Sequence, residues 1–176
     1  MKEAVELAVK QGISLAYADL QGADLRGANL VRAKLEGARL EGANFSWADL
    51  SRTDLRGADL EMANIQGANL KRINLKGAYL LGAKLFGVDL SNANLRWAYF
   101  RGANLHFAYL RKADLRDSKL FETDLSEANL CWADLQGADL RKADLRWANL
   151  KFAYLWRAEL SGAKLEGTKL EGAIRY

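Results

Sequence analysis

Two side chains of this sequence could act in nucleophilic or acid–base chemistry, and each type occurs only once. His106 is the single histidine and Cys131 the single cysteine among 176 residues. A cysteine nucleophile needs a base beside it, and a metal site needs several ligands at close spacing. The two residues stand far apart in the chain with no second ligand nearby. A cryptic enzyme that uses Cys131 or His106 is therefore the weakest functional hypothesis.

The carboxylates follow a pattern that favours structure over catalysis. Asp or Asn most often stands directly before a leucine, as in Ala23-Asp24-Leu25. Paired carboxylates can supply an acid and a base, but a short polar side chain in a tight turn bonds the nearby backbone. The glycines are periodic and isolated, so no phosphate-binding loop is predicted. We expect no enzymatic activity, no cofactor and no metal.

These residues belong to a repeat with a period of five. Every fifth residue from Leu15 to Leu170 is large and apolar, and only Phe45, Ile65 and Phe100 are not leucine. The residue two positions before each of them is nearly always alanine. An α-helix would scatter these leucines around its axis, since five residues advance about 500°. A short extended triplet followed by a two-residue corner keeps every Ala and Leu inside, which predicts a solenoid with a filled bore.

The size of one coil follows from residues that recur at a longer spacing. Arg32, Arg52 and Arg72 are spaced by 20, which indicates four pentapeptide sides per coil. About eight coils at about 4.8 Å each give a rod roughly 40 Å long. Glycine at the second corner position suits a type II turn, because that position needs φ > 0. The edge that includes these arginines has no such glycine from the corner after Leu30 until Gly172, so a different turn is predicted there.

The two ends of the rod are predicted to differ. Residues 2–11 should form a helix whose apolar side includes Val5, Leu7 and Val9, and which covers the first coil. We divide the chain into an N-terminal capping helix at 1–12 and a repeat domain at 13–176. No comparable cap is expected at the other end. A homodimer through the C-terminal end, with Ile174 and Tyr176 at the interface, is one predicted assembly.

Basic residues gather on one side of the predicted rod, although the net charge is only +4 and the pI about 9.2. Two neighbouring edges flank that side, which we call the basic face. One edge carries Arg32, Arg52, Lys71, Arg72, Arg111, Lys112 and Lys151, and the next carries Arg56, Lys76, Arg96, Arg116 and Arg157. Such a surface either keeps the rod soluble or binds an acidic partner.

Aromatic residues gather at the C-terminal end of the same region. Trp132, Phe152, Tyr154 and Trp156 are expected near one corner of the last coils. They form either a contact patch or a structural ladder of stacked rings. The candidate binding surface consists of Arg32, Arg52, Arg72, Lys112, Arg56, Lys76, Arg96, Arg116, Trp132, Phe152 and Trp156.

Units of the form A(D/N)LxG in unbroken register resemble the pentapeptide repeat family, and the resemblance covers residues 13–174. It implies an all-β fold, a right-handed quadrilateral β-helix. Family members are abundant in bacteria, especially cyanobacteria, and most have no known activity. The best understood subgroup imitates duplex DNA and protects DNA gyrase. Those proteins are strongly acidic, whereas this chain is basic.

We therefore expect a non-enzymatic scaffold or regulatory rod that binds another protein with an acidic surface. A gyrase protector is the alternative, and the basic charge argues against it. Nucleic acid and anionic membrane surfaces remain alternative partners that nothing in the sequence favours, and no small-molecule substrate is expected. The single Cys131 cannot form an internal disulfide, which favours a cytoplasmic location.

Overall fold

The computed structural model describes residues 1–175 and contains one helix, α1 (Lys2–Lys10), followed by a solenoid. Parallel bridges join residues that are 20 apart, from Asp19–Arg39 at one end to Tyr154–Ile174 at the other. Each coil therefore contacts the coil above and the coil below it, as in other repeat proteins. The predicted 20-residue coil with pentapeptide sides is confirmed.

The walls pair through one residue per side. Every bridge is isolated and joins the central residues of two triplets, and residues 1–175 contain no strand of two or more consecutive residues. A two-residue corner precedes and follows each triplet, so the pairing cannot extend into a longer strand. The rod is thus a stack of very short bridged walls and not a continuous sheet.

All five backbone N–H groups of a typical pentapeptide find an acceptor. Two donate to neighbouring coils from the wall, one donates to the next coil from the corner, one closes the turn, and one bonds a side chain. In the pentapeptide 44–48 the acceptors are, in order, the carbonyls of Ala23 and Asn64, the Oδ1 atom of Asn44, and the carbonyls of Gln66 and Phe45, at 2.7–3.1 Å. Since buried or half-buried N–H groups must be paired, this pattern defines the fold.

The side-chain acceptor explains why Asp and Asn recur. All 20 Asp and Asn residues at the central wall position accept, through Oδ1, a hydrogen bond from the N–H two residues later, at 2.9–3.4 Å. That N–H belongs to the first corner residue and has no backbone acceptor. The prediction that these side chains bond the backbone in tight turns is confirmed.

Every second corner residue from Gly12 to Gly172 has positive φ, and these comprise 15 glycines and 18 other residues. Arg32, Arg52 and Arg72 have φ of 61°, 60° and 58°, and the turn at each closes with the same carbonyl-to-amide bond as at the glycine corners. The prediction of a different turn along this edge is wrong. The bonds between coils impose the left-handed conformation even where the residue is not glycine, at a cost of about 1–2 kcal/mol each.

The bore is filled by the repeat leucines and alanines. Leu85 and nearly all of its counterparts between Leu25 and Leu155 are fully buried, and the three exceptions Phe45, Ile65 and Phe100 are buried as well. Thr53 and Thr123 replace alanine inside, and their hydroxyls donate to main-chain carbonyls at 2.7 and 2.8 Å. The interior leaves no open channel along the described coils.

Helix α1 covers the first coil, and two of its side chains form hydrogen bonds with backbone groups of that coil. Val5 is buried on the core and Val9 packs against it. Glu6 Oε1 accepts from the N–H of Asn29 at 2.7 Å, and Lys2 Nζ donates to the carbonyl of Arg26 at 2.7 Å. The helix ends one residue earlier than predicted. The placement of Leu7 on the apolar side is wrong, because Leu7 is 54% exposed while Val5 and Val9 alone reach the core.

Several wall aspartates also bind the arginine two residues later. Asp144 contacts the Arg146 guanidinium at 2.6 Å, and Asp139 contacts Arg141 at 2.7 Å. The hydrogen bond from Arg146 lowers the pKa of Asp144 to about 2. Hydrogen bonds from the following arginine also lower the pKa of Asp54 and Asp139. Acid should therefore weaken these contacts.

We predict that the rod loses stability as the pH falls from about 4 to about 2. A carboxyl whose pKa is lower in the folded state than its ordinary value near 3.9 stabilises the fold above that value, and the contribution disappears as the group is protonated. Thermal melts from pH 5 to pH 2 should show a falling Tm. Changing Asp54, Asp139 and Asp144 to Asn keeps the Oδ1 acceptor and should flatten the fall. A Tm that stays constant, or an equal fall in the triple variant, would contradict this account.

Candidate functional site

The basic face presents one rung of three outward side chains from each coil. The outer two stand on the flanking edges and the middle one is the bridged wall residue. From the N-terminal end the rungs are Arg32-Lys34-Glu36, Arg52-Asp54-Arg56, Arg72-Asn74-Lys76, Asn92-Asn94-Arg96, Lys112-Asp114-Arg116, Trp132-Asp134-Gln136 and Phe152-Tyr154-Trp156. The residue types change from basic to aromatic along the rod.

The face holds more positive charge than the whole chain. Between residues 31 and 157 its two edges and central wall carry thirteen Lys and Arg and five Asp and Glu. This excess of eight is larger than the net charge of +4, so the rest of the chain is net acidic. The predicted segregation of basic residues onto one side follows from the observed 20-residue register.

Carboxylates on the face already bind two of the predicted site residues. Arg56 contacts Asp54 at 2.7 Å and Glu36 at 2.9 Å. Arg116 contacts Asp114 at 2.5 Å, and both arginines are half-buried. A partner would have to compete with these internal bonds, so Arg56 and Arg116 are poor contact residues. The sequence could not show this pairing, which depends on side-chain conformation.

The remaining predicted cations have no carboxylate partner in the described part of the chain, and all of them except the half-buried Arg96 are exposed. Within residues 1–175, no ion pair forms at Arg32, Arg52, Arg72, Lys76, Arg96 or Lys112. The two rungs at 72–76 and 92–96 contain no carboxylate, and asparagine occupies their centres. This part of the face should attract an anion most strongly.

Trp97 supports the cations of those two rungs. Lys76 Nζ lies 4.7 Å and Arg96 Cζ 4.8 Å from the centroid of the Trp97 ring, within range of a cation–π contact. Trp97 Nε1 donates to Asp117 Oδ2 at 3.1 Å, which holds the ring in place. Arg96 Nε is buried and has no hydrogen-bond partner among the described residues. The tryptophan was not predicted as part of the site, although its place next to Arg96 could have indicated it.

The aromatic residues at the C-terminal end form a stacked ladder on the first edge and a cation–π contact on the second. Trp132 and Phe152 stack with centroids 4.6 Å apart and planes 15° apart. Phe152 in turn lies over Gly172, where an added Cβ would sit 2.6 Å from its Cδ1 atom. On the other edge, the Arg157 guanidinium lies 4.1 Å from the Trp156 ring centroid. The ladder interpretation explains the covered ring faces, while each of the three rings keeps 42% of its surface exposed.

His106 lies in a polar cluster that the sequence analysis missed. Its Nδ1 atom is 2.7 Å from Ser126 Oγ and 2.9 Å from the Ser126 carbonyl. Ser126 Oγ donates to Asp124 Oδ1 at 2.5 Å. Serine thus stands between the carboxylate and the imidazole, whereas a catalytic triad needs the imidazole in the middle to take the serine proton. The 20-residue spacing of His106 and Ser126 was the available signal.

Cys131 lies on the first basic edge, in the coil that follows the one containing His106. Its backbone N–H donates to Asn129 Oδ1 at 3.1 Å, and its carbonyl accepts from Lys112. The contacts found for the His106 ring are with Ser126, Phe86 and Phe107. Across residues 1–175, no three His, Cys, Asp or Glu side chains come together in a way that could hold a metal ion.

The last coil leaves part of the core and the ladder uncovered. Leu165 is 40% exposed, whereas Leu145, its counterpart one coil earlier, is fully buried. In the described coils, the N–H groups of Leu160, Leu165 and Leu170 find no acceptor. Ile174 is 46% exposed. Tyr176, the other residue of the predicted C-terminal interface, lies outside the described residues.

A family model described as "Pentapeptide repeats (8 copies)" matches the chain in overlapping segments that together run from residue 11 to residue 174. The chain belongs to the pentapeptide repeat family. This membership agrees with the five-residue period, the filled bore and the 20-residue coil. No curated protein sequence matches the chain.

Several solved structures are pentapeptide repeat proteins similar to this one. A protein of the Arabidopsis thaliana thylakoid lumen is 33% identical over 56% of this chain and 68% of its own, with a TM-score of 0.54. HetL of Nostoc sp. strain PCC 7120, involved in heterocyst differentiation regulation, is 36% identical over 92% of this chain and 84% of its own, with a TM-score of 0.30. QnrB1, a plasmid-mediated fluoroquinolone resistance protein, is 21% identical over 89% of this chain and 88% of its own, with a TM-score of 0.47.

Within residues 1–175, the helix is too short and too polar to cross a bilayer.

Proposed function

We propose that this pentapeptide repeat protein is a non-enzymatic rod that binds an acidic macromolecule, with another protein as the favoured partner. The observation that supports this is the excess positive charge of the basic face, where the exposed cations of four rungs lack carboxylate partners within the described chain. A regular array of charge on a rigid wall attracts and orients a partner of opposite charge.

The arrangement of reactive groups supports a binding role over an enzymatic one. The core is filled with side chains, so a substrate or cofactor could be held only at the surface. His106 bonds Ser126 and Cys131 lies on another edge, and neither has the partner that nucleophilic catalysis needs. The proposal therefore includes two expectations for this chain: it is not an enzyme, and it has no small-molecule substrate.

We also propose that the fold is a right-handed quadrilateral β-helix and that the protein is cytoplasmic. Four corners per coil and parallel pairing support a quadrilateral β-helix, and its right hand is taken from the family resemblance. The lone Cys131 supports a reducing compartment such as the cytoplasm. The Arabidopsis relative comes from the thylakoid lumen, so location can differ within the family.

A DNA-mimicking protector of DNA gyrase is the alternative that the family resemblance brings. Such a mimic needs a strongly acidic surface in place of the phosphates of DNA. This chain has a net charge of +4 and a face with an even larger positive excess. We therefore place gyrase protection second.

We predict that changing Arg52, Arg72, Arg96 and Lys112 to Glu abolishes binding of polyglutamate and leaves the Tm within a few degrees of the parent. Arg52, Arg72 and Lys112 are exposed, Arg96 is half-buried, and none of the four forms an ion pair among residues 1–175, so their loss should affect association more than folding. Binding should be measured by fluorescence anisotropy at low and high salt, with duplex DNA and anionic vesicles as parallel probes.

The matched control changes Lys10, Lys84, Lys119 and Lys169 to Glu, which alters the net charge equally but leaves the basic face intact. Polyglutamate binding should persist in this control. Equal losses of polyglutamate binding in both variants would show that total charge is responsible. If polyglutamate, duplex DNA and anionic vesicles all fail to bind the parent protein, the proposed function is refuted.

A homodimer through the last coil is the second partner hypothesis. The exposed Leu165 and the unpaired N–H groups of the last coil favour contact with another surface, because open ladder edges tend to be paired or covered. Two copies that meet end to end about a twofold axis would cover both edges at once.

We predict that sedimentation equilibrium detects a dimer and that Ile174→Asp dissociates it, since a carboxylate would then be placed in the contact. Ser161→Asp, on an exposed corner of the same coil, is the control and should leave the dimer intact. A protein that remains monomeric up to about 100 μM would exclude all but very weak self-association.

A further inference from the structure

The basic face changes its chemistry abruptly along its length. Five rungs, from residue 32 to residue 116, carry cations on their edges, and the rung at 152–156 is entirely aromatic. Between them, Trp132 begins the aromatic ladder on the first edge. A uniform polyanion would match the first part of the face only. The natural partner should therefore combine negative charge with apolar groups at one end.

We propose that the basic face binds an acidic α-helix of a partner protein, laid along the rod axis, with apolar side chains at the end that meets Trp132, Phe152 and Trp156. This inference rests on the proposed function and names its partner class and orientation. The two components of binding can be tested separately, because the electrostatic attraction should depend on the basic rungs and the apolar contact on the aromatic rung.

The backbone of the face favours a helix over an extended segment. The central residues use both of their main-chain groups within the rod: Asn74 donates to Thr53 at 2.9 Å and accepts from Leu55 at 2.8 Å. An incoming strand would find no edge to pair with on this wall. A helix brings its own backbone hydrogen bonds and needs only side-chain contacts.

The distance between successive rungs is close to the rise of an α-helix per turn. Coils rise by about 4.8 Å, the spacing of bridged strands, and a helix rises about 5.4 Å per turn. Over the four coil steps from Arg32 to Lys112 the difference adds to only about 2.4 Å, which long Arg and Lys side chains can absorb. Glu or Asp at every turn of a helix can therefore face successive basic rungs.

The aromatic end favours apolar side chains over stacked nucleobases. A base stacks on a free ring face, but Phe152 lies between Trp132 and Gly172, its stacking also takes one face of Trp132, and Arg157 covers one face of Trp156. The exposed parts of these rings suit aliphatic contacts. Beside Trp156, a pocket of about 180 Å³ is lined by Arg116, Asp117, Gln136, Gly137 and Arg157 and is large enough for one such side chain.

The test compares two 20-residue helical peptides with Glu at every turn. One carries three leucines in its terminal turns, and the other carries alanine at those positions. Binding is measured by fluorescence anisotropy with the parent rod, with the four-site Glu variant, with Trp156→Ala and with Trp147→Ala. Trp147 is an exposed tryptophan on another edge and is the matched control.

We expect the leucine peptide to bind at least tenfold more tightly than the alanine peptide, since buried tryptophan contacts are frequent hot spots. Trp156→Ala should remove that advantage and leave the alanine peptide unaffected, while Trp147→Ala should change neither. High salt should weaken both peptides and preserve their ratio.

Other outcomes separate this inference from the proposed function. If both peptides bind equally and both are lost in the four-site variant, the proposed function stands and the helix anchor is wrong. If neither peptide binds but polyglutamate does, the proposed function stands and the helix inference is wrong. If the peptides, polyglutamate, duplex DNA and anionic vesicles all fail to bind, both are wrong. If single-stranded DNA binds more tightly than the leucine peptide and Trp156→Ala abolishes that binding, the partner is a nucleic acid and the inference is overturned.

Discussion

The left-handed backbone at the second corner position is the constraint on which the rest of this rod depends. It turns the chain from each wall onto the next and aims that residue's N–H at the carbonyl of the next coil, as in the 3.0 Å bond from Arg52 to Lys71. Eighteen side chains accept this strained conformation because the bonds on both sides of the coil leave no alternative. The edges can therefore display side chains where most turns of this type would require glycine.

The ability of the corners to hold residues other than glycine is what allows the fold to form the candidate site. The wall residues are mostly short Asp and Asn that bond their own corner, so on most rungs it is the corner residues that project far enough to meet a partner. On the first basic edge every second corner residue from Arg32 to Phe152 is non-glycine, and this edge presents cations and then stacked rings. Where a large side chain occupies one coil, glycine often follows in the next, as with Trp47 over Gly67.

Sequence alone was sufficient for features that repeat in every unit. The apolar period indicated the buried Leu positions, and the recurrence of Arg32, Arg52 and Arg72 indicated the coil length. Features that depend on contacts between coils were less accessible. The turn at Arg32 was mispredicted because local propensity was overridden by bonds to the next coil. The ion pairs of Arg56 and the bond from His106 to Ser126 depend on rotamers that no spacing specifies.

Residue-resolved amide hydrogen exchange on the native protein tests this account most directly. The N–H groups of Arg52, Arg72 and Lys112 donate to the next coil at 3.0–3.1 Å. They should exchange as slowly as those of Gly57 and Gly77, which occupy the same position on the neighbouring edge. Exchange at Arg52, Arg72 and Lys112 as fast as in an unstructured peptide, with Gly57 and Gly77 still protected, would contradict a single left-handed corner geometry throughout the rod.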